Sequence, residues 1–177
     1  MTFPNEQYVV FDVETTGLFP HRGDRIIEIG AVSVSEGLID GEFHSLVYTV
    51  KRIPAEAQRI HGITAEMLQN APPAEEVFPR FHEFIKDRIL VAHNAEFDMS
   101  FIRREFQRQG LILNQQCVCT MEMSRRHFPQ LPNHKLYTVY RHLMGCDAPY
   151  AQRHRALADA RMAAEIWLAI RKMNNEV

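Results

Sequence analysis

The chain has 177 residues, 46% hydrophobic and 24% charged, which are ordinary globular proportions; with no internal repeat or long linker, residues 1–177 read as one domain with a substantial core. A net charge of −2 argues against a protein that grips long duplexes through a basic surface, but not against one that holds a few nucleotides through metal ions. Three cysteines, no apolar run long enough to span a membrane, and a start (Met1 to Glu6) unlike a signal peptide exclude a disulfide framework and favour a cytoplasmic protein without a membrane role.

Tyr8 to Glu14 reads as a buried strand, apolar and rich in strand formers. Strand side chains alternate, so Asp12 and Glu14 share one face while Phe11 and Val13 take the other. Phe19 to Asp24 is a loop by its proline and glycine. Arg25 to Ser35 is a second strand, Glu36-Gly37 a turn, and Leu38 to Val50 a third strand; short connections make the three an antiparallel meander. Ala55 to Ile60 forms one or two helical turns ending at His61-Gly62, and Thr64 caps a short helix to Leu68. Ala74 to Asp87 carries Val77, Phe81, Phe84 and Ile85 at helical spacing, with Pro79 against the pattern. Arg88 to Ala92 is a short buried strand. Asn94 is placed to cap the next helix, whose stripe is Phe97, Phe101, Ile102 and Phe106 and whose stop is Gly110. Cys117 to Cys119 is a short strand, and Thr120 caps a helix to His127. Lys135 to Met144 is helical up to Gly145, and Arg155 to Met173 is a long final helix. A meander followed by strands alternating with helices implies an α/β protein with a mixed sheet covered by helices.

Two acids on one face at the end of a buried strand repel each other and are costly to desolvate. A divalent cation between Asp12 and Glu14 removes both problems, and hard oxygen donors suit magnesium or manganese. An isolated pair of this kind more often ends an edge strand in solvent, with Thr15-Thr16-Gly17 as the turn. Other residues shift that balance. Asp98 falls in a helical first turn just after a buried strand, a common site position, although the helix dipole alone favours an acid there. Asp159 sits near the start of the last helix among Ala158, Ala160 and Ala163, small residues that let the helix approach the sheet. His154 can face the same place only if it stands just before that helix, since five helical positions turn about 140°. Cys117 and Cys119 with His127 and His134 fit no common zinc spacing. Arg103, Arg104, Arg108, Arg125, Arg126, Arg153 and Arg155 are candidates for phosphate contacts or ordinary solvated positions.

Four motifs occur in order: Asp12-x-Glu14-Thr15-Thr16-Gly17, His61-Gly62-Ile63-Thr64, His93-Asn94-Ala95-x-Phe97-Asp98 and His154-x-Ala156-Leu157-x-Asp159-Ala160. From Tyr8 to Ile170 the chain resembles the DEDD family of 3′-to-5′ exonucleases in its catalytic-histidine subtype. Within it the chain is most similar to proofreading epsilon subunits of bacterial DNA polymerase III, and ribonuclease T is more distant. The resemblance implies a ribonuclease-H-like fold with a mixed five-stranded sheet flanked by helices. It implies two magnesium ions, for which manganese can substitute. Asp12 bridges both ions, Glu14 and Asp159 complete the first, and Asp98 supports the second. His154 becomes the general base. Ile60, His61 and Phe97 enclose the 3′-terminal nucleotide, with Thr16, Gly17 and Leu18 beside them. The expected activity is hydrolysis of single-stranded or frayed DNA from its 3′ end, releasing nucleoside 5′-monophosphates. RNA 3′ ends are the alternative substrate, and a catalytically idle nucleic-acid-binding module is the alternative class. Epsilon subunits continue into clamp-binding and polymerase-docking segments; here only Arg171 to Val177 follow Ile170, so the expectation is an enzyme acting alone, with a polymerase partner left open.

Overall fold

The structure, a computed structural model, describes residues 7–147, 149 and 154–175. The reading of Met1 to Glu6 and the phosphate role considered for Arg153 lie outside the described residues. Five strands form one mixed sheet: β1 (Tyr8–Thr15), β2 (Ile26–Ser35), β3 (Leu38–Leu46), β4 (Ile89–Ala92) and β5 (Cys117–Cys119), in the order β3-β2-β1-β4-β5. β1 to β3 are antiparallel, whereas β4 runs parallel to β1 and β5 parallel to β4. Among the described residues the helices are α1 (Ala55–His61), α2 (Ala65–Leu68), α3 (Ala74–Phe84), α4 (Ala95–Arg108), α5 (Thr120–His127), α6 (Leu136–Met144) and α7 (Ala156–Asn175). None is long and apolar enough to cross a membrane.

The central strand shows how alternation builds two cores. Val9, Phe11 and Val13 pack with Phe78 and Phe81 of α3 and Phe101, Ile102 and Phe106 of α4. Tyr8 and Val10 face the other way, against Ala163, Ala164 and Trp167 of α7. Each large apolar side chain fully buried in this way contributes roughly 1.5–3 kcal/mol. Pro79 lies inside α3 and removes one helical hydrogen bond, but the flanking Val77, Phe78 and Phe81 are fully buried and hold the helix on the sheet. That helix ends at Phe84 rather than Asp87, which takes a left-handed φ of 57°.

Three local expectations are corrected. The third strand stops at Leu46, not Val50: its last pair is Glu28 with Leu46, and after Val47 donates to Ile27 O the Tyr48 N–H turns away to Pro72 O. Asn94 does stand at the start of α4, but in a left-handed conformation (φ 76°) with no side-chain cap. Thr120 is the first residue of α5 rather than its cap, and its hydroxyl reaches Ala92 O and His93 Nδ1. Thr64, by contrast, caps α2 by accepting the Met67 N–H, as its position implies.

Candidate active site

Asp12 and Glu14 continue the β1 face that Tyr8 and Val10 present to α7, and both are partly buried. β4 runs parallel to β1, so the chain leaving β4 starts α4 beside the end of β1. This places Asp98 in the first turn of α4, almost fully buried, where its carboxylate accepts the Val13 N–H at 3.3 Å. α7 crosses the same face and brings Asp159 down from its first turn. Ligand atoms of Glu14, His154 and Asp159 all lie within 4.8 Å of one another, the one such group able to hold a metal ion among the described residues. Cys117, Cys119, His127 and His134 form none; His127 bonds Met123 O and His134 bonds Ser124.

The electrostatics agree with the geometry. Burial, and then the charges of Asp98, Glu14, Asp159 and Glu28, raise the Asp12 carboxyl well above the usual carboxylate range. Burial and the charges of Asp159, Glu28 and Asp98 raise Glu14 to about 8 against opposition from Arg155. Burial raises Asp98 to about 8 even though backbone N–H groups favour its charged form. Asp159 is also raised, by burial, against the pull of Tyr137 and His154. Four crowded acids that resist ionisation together are hard oxygen donors short of positive charge, which fits a site for divalent cations.

Two residues missed by sequence reasoning hold this arrangement. Glu28 is fully buried in β2, opposite Glu14 in the strand register. Its carboxylate accepts from Arg155 Nη2 at 2.7 Å, from the Ala156 N–H at 3.1 Å and pairs with His44 Nε2 at 2.8 Å. Burial alone would raise its pKa, but these partners outweigh burial and hold it at about 2. Glu28 thus caps α7 from across the sheet, and Arg155 is committed to it. Tyr137 of α6 donates its hydroxyl to Asp159 Oδ1 at 2.8 Å and accepts the His154 N–H at 3.3 Å. Glu28 reads in sequence as one polar break in an apolar strand, and nothing local marks Tyr137.

The expected nucleotide pocket is partly assembled. Leu18 and Phe97 line one cavity of about 340 Å³ with Pro20, His21, Asn94 and Ser100. Leu18 is exposed, and Phe97 also packs on Phe101 at 5.0 Å. Ile60 is exposed, but neither it nor His61 lines that cavity. His61 is buried; its Nδ1 accepts the Ile63 N–H, and its Nε2 has no hydrogen-bond partner. Thr16 is fully buried with its hydroxyl accepting the Arg25 N–H, so its side chain holds the loop rather than facing outward. Gly17 is required by crowding: a Cβ there would lie 2.4 Å from Asp24 Oδ2. Of the arginines considered for phosphate contact, Arg108 pairs with Glu105 at 2.8 Å, while Arg103 and Arg104 border a second cavity of about 410 Å³ beside His21.

Residues 9–167 match the family described as Exonuclease (RNase_T). A DNA polymerase III PolC-type protein of Clostridium perfringens is 38% identical over 174 residues, 98% of this chain but 12% of that protein. A DNA polymerase III subunit epsilon-like protein of Rhodobacter capsulatus is 41% identical over 165 residues, 92% of this chain and 23% of that protein. The chain therefore spans only a minor part of these relatives. Among solved structures, Exonuclease X in complex with 5′ overhanging duplex DNA superposes with a TM-score of 0.76 at 29% identity, covering 95% of this chain and 93% of that one.

Proposed function

The chain belongs to the exonuclease family, and from that premise we propose that it is a metal-dependent 3′-to-5′ exonuclease acting as one domain on single-stranded or frayed DNA. The observation that carries the reading is the convergence of Glu14, Asp159 and His154 within 4.8 Å beside Asp12 and Asp98. An idle binding module has no need of such a set. The DNA-bound likeness of Exonuclease X supports DNA over RNA, and the polymerase III relatives support frayed primer ends, with a polymerase as the partner to test.

Asp12, Glu14, Asp98 and Asp159 would hold two divalent cations, magnesium or manganese. When bound, these would ease ionisation of an attacking water and offset charge on the departing 3′ oxygen. His154 stands just before α7, exposed and next to Glu14 and Asp159, where its imidazole takes the proton of that water. Leu18 and Phe97 give the terminal nucleotide an apolar surface, with Ile60 and His61 completing its enclosure and Thr16 and Gly17 holding the loop beside it. Hydrolysis upstream of that nucleotide releases a nucleoside 5′-monophosphate.

End-labelled DNA and RNA oligonucleotides, single- and double-stranded, incubated with magnesium test this. The expected result is shortening of single-stranded DNA from its 3′ end, abolished by Asp12→Ala because that substitution would remove one of the four carboxylates that would hold the cations. An Asp12→Ala protein retaining more than a few per cent of the activity would overturn the metal assignment.

A further inference from the structure

His154 is held in an unfavourable backbone conformation. Its φ is 57°, left-handed, a region that non-glycine residues seldom adopt. Its side chain is exposed, so packing does not fix its place. On its C-terminal side Arg155 and Ala156 are latched to Glu28. The other restraint comes from Tyr137. That hydroxyl donates to Asp159 Oδ1 and accepts the His154 N–H, and the same N–H bears on the Asp159 carboxylate. The Tyr137 ring also meets the imidazole edge-on at 5.9 Å. One hydroxyl thus closes a triangle with a carboxylate and the backbone of the histidine. The hydroxyl is itself well fixed. α6 packs on α7 through Val139 and Tyr140 against Met162, Ile166 and Ile170.

We propose that Tyr137 is a positioning residue of the active site, setting the Asp159 rotamer and the His154 backbone together so that imidazole and carboxylates keep their spacing. The inference rests on the exonuclease reading above. A mere packing role would need only the ring; the geometry uses the oxygen. Tyr140, on the same helix, supplies the control. Its hydroxyl donates to Glu165 at 2.7 Å, a bond of the same chemistry away from the site.

The test uses Tyr137→Phe, which keeps the ring, beside Tyr140→Phe and His154→Ala. With magnesium and linear single-stranded DNA, Tyr137→Phe should lower kcat about 10- to 100-fold, the usual cost of losing a bond that orients a metal-ligating side chain. KM should stay within about twofold, because the nucleotide pocket is untouched. Tyr140→Phe should leave both constants near the parent values. The second readout needs no turnover. In the metal-free protein the imidazole carbon–proton signal of His154, assigned by its loss in His154→Ala, should shift or broaden in Tyr137→Phe and stay in place in Tyr140→Phe. An unchanged His154 signal in Tyr137→Phe, an unchanged kcat, or an equal loss in Tyr140→Phe overturns the proposal. If His154→Ala cleaves at the parent rate, the general-base reading fails instead, and the metal-free signal still decides whether Tyr137 holds the histidine.

Discussion

His93 carries a pH-dependent cost that does not involve the acids of the site. Its Nε2 donates to His134 O at 2.8 Å and its Nδ1 accepts the Thr120 hydroxyl at 2.9 Å, so the neutral ring is satisfied on both sides. Burial pushes its pKa down to about 4. An unfolded histidine titrates near 6.5, so between the two values the unfolded chain binds more protons than the folded one. This contribution to stability is complete above about pH 6.5, declines as pH falls, and is gone below about pH 4. Between pH 6.5 and 5 it amounts to at most ~2 kcal/mol. Urea denaturation of the parent and of His93→Gln at both pH values should show a smaller acid-side loss in the variant. Equal losses would mean that His93 titrates normally in the folded protein. At this scale the placement of the acids was legible because it is local: Asp12 and Glu14 share a face by a period of two and Asp98 falls at a strand–helix junction, whereas their proposed role came from the resemblance. Glu28 and Tyr137 were not, since their partners lie 127 and 22 residues along the chain.

At the scale of elements, the contact between β2 and α7 decides where His154 and Asp159 stand. A Cβ on Gly30 would lie 2.1 Å from Leu157 N and 2.4 Å from Ala156 C, backbone atoms that cannot rotate aside. The small residue and the buried Glu28 beside it let the start of α7 touch the sheet itself. Gly30→Ala should therefore lift that end of the helix, lowering stability by about 1–3 kcal/mol, the usual range for overpacking, and cutting turnover through displaced Asp159 and His154. Thermal unfolding followed by circular dichroism, with activity measured well below the transition, checks both. Parent-like stability and turnover would show that this contact does not position the site. Helix identity and the meander could be read because hydrophobic period and turn residues are local signals. Strand length could not: the apolar pattern of β3 continues to Val50, but pairing ends at Leu46 because the Tyr48 N–H turns away to Pro72 O, a partner distant in sequence.

Taken whole, the molecule gathers its charge-dense chemistry in one place on an otherwise ordinary surface with a net charge of −2. Such a surface is poorly suited to gripping a length of duplex, and the proposed exonuclease needs a strand end. Closed circular single strands should therefore resist it while linear strands of the same sequence lose mononucleotides from the earliest time point, as resolved by product size in a mixed incubation. Nicked circles, or short oligonucleotides appearing before mononucleotides, would make it an endonuclease. The site's parts also have an order in time. β1 supplies Asp12 and Glu14 near the start of the described chain, whereas α7 supplies Asp159 near its end, after every strand of the sheet. A ribosome that has exposed the chain only as far as α6 would present the five strands without Asp159, His154 or the arginine that locks onto Glu28. The candidate site would therefore stay incomplete until α7 had left the exit tunnel and docked on the sheet, however early β1 had formed.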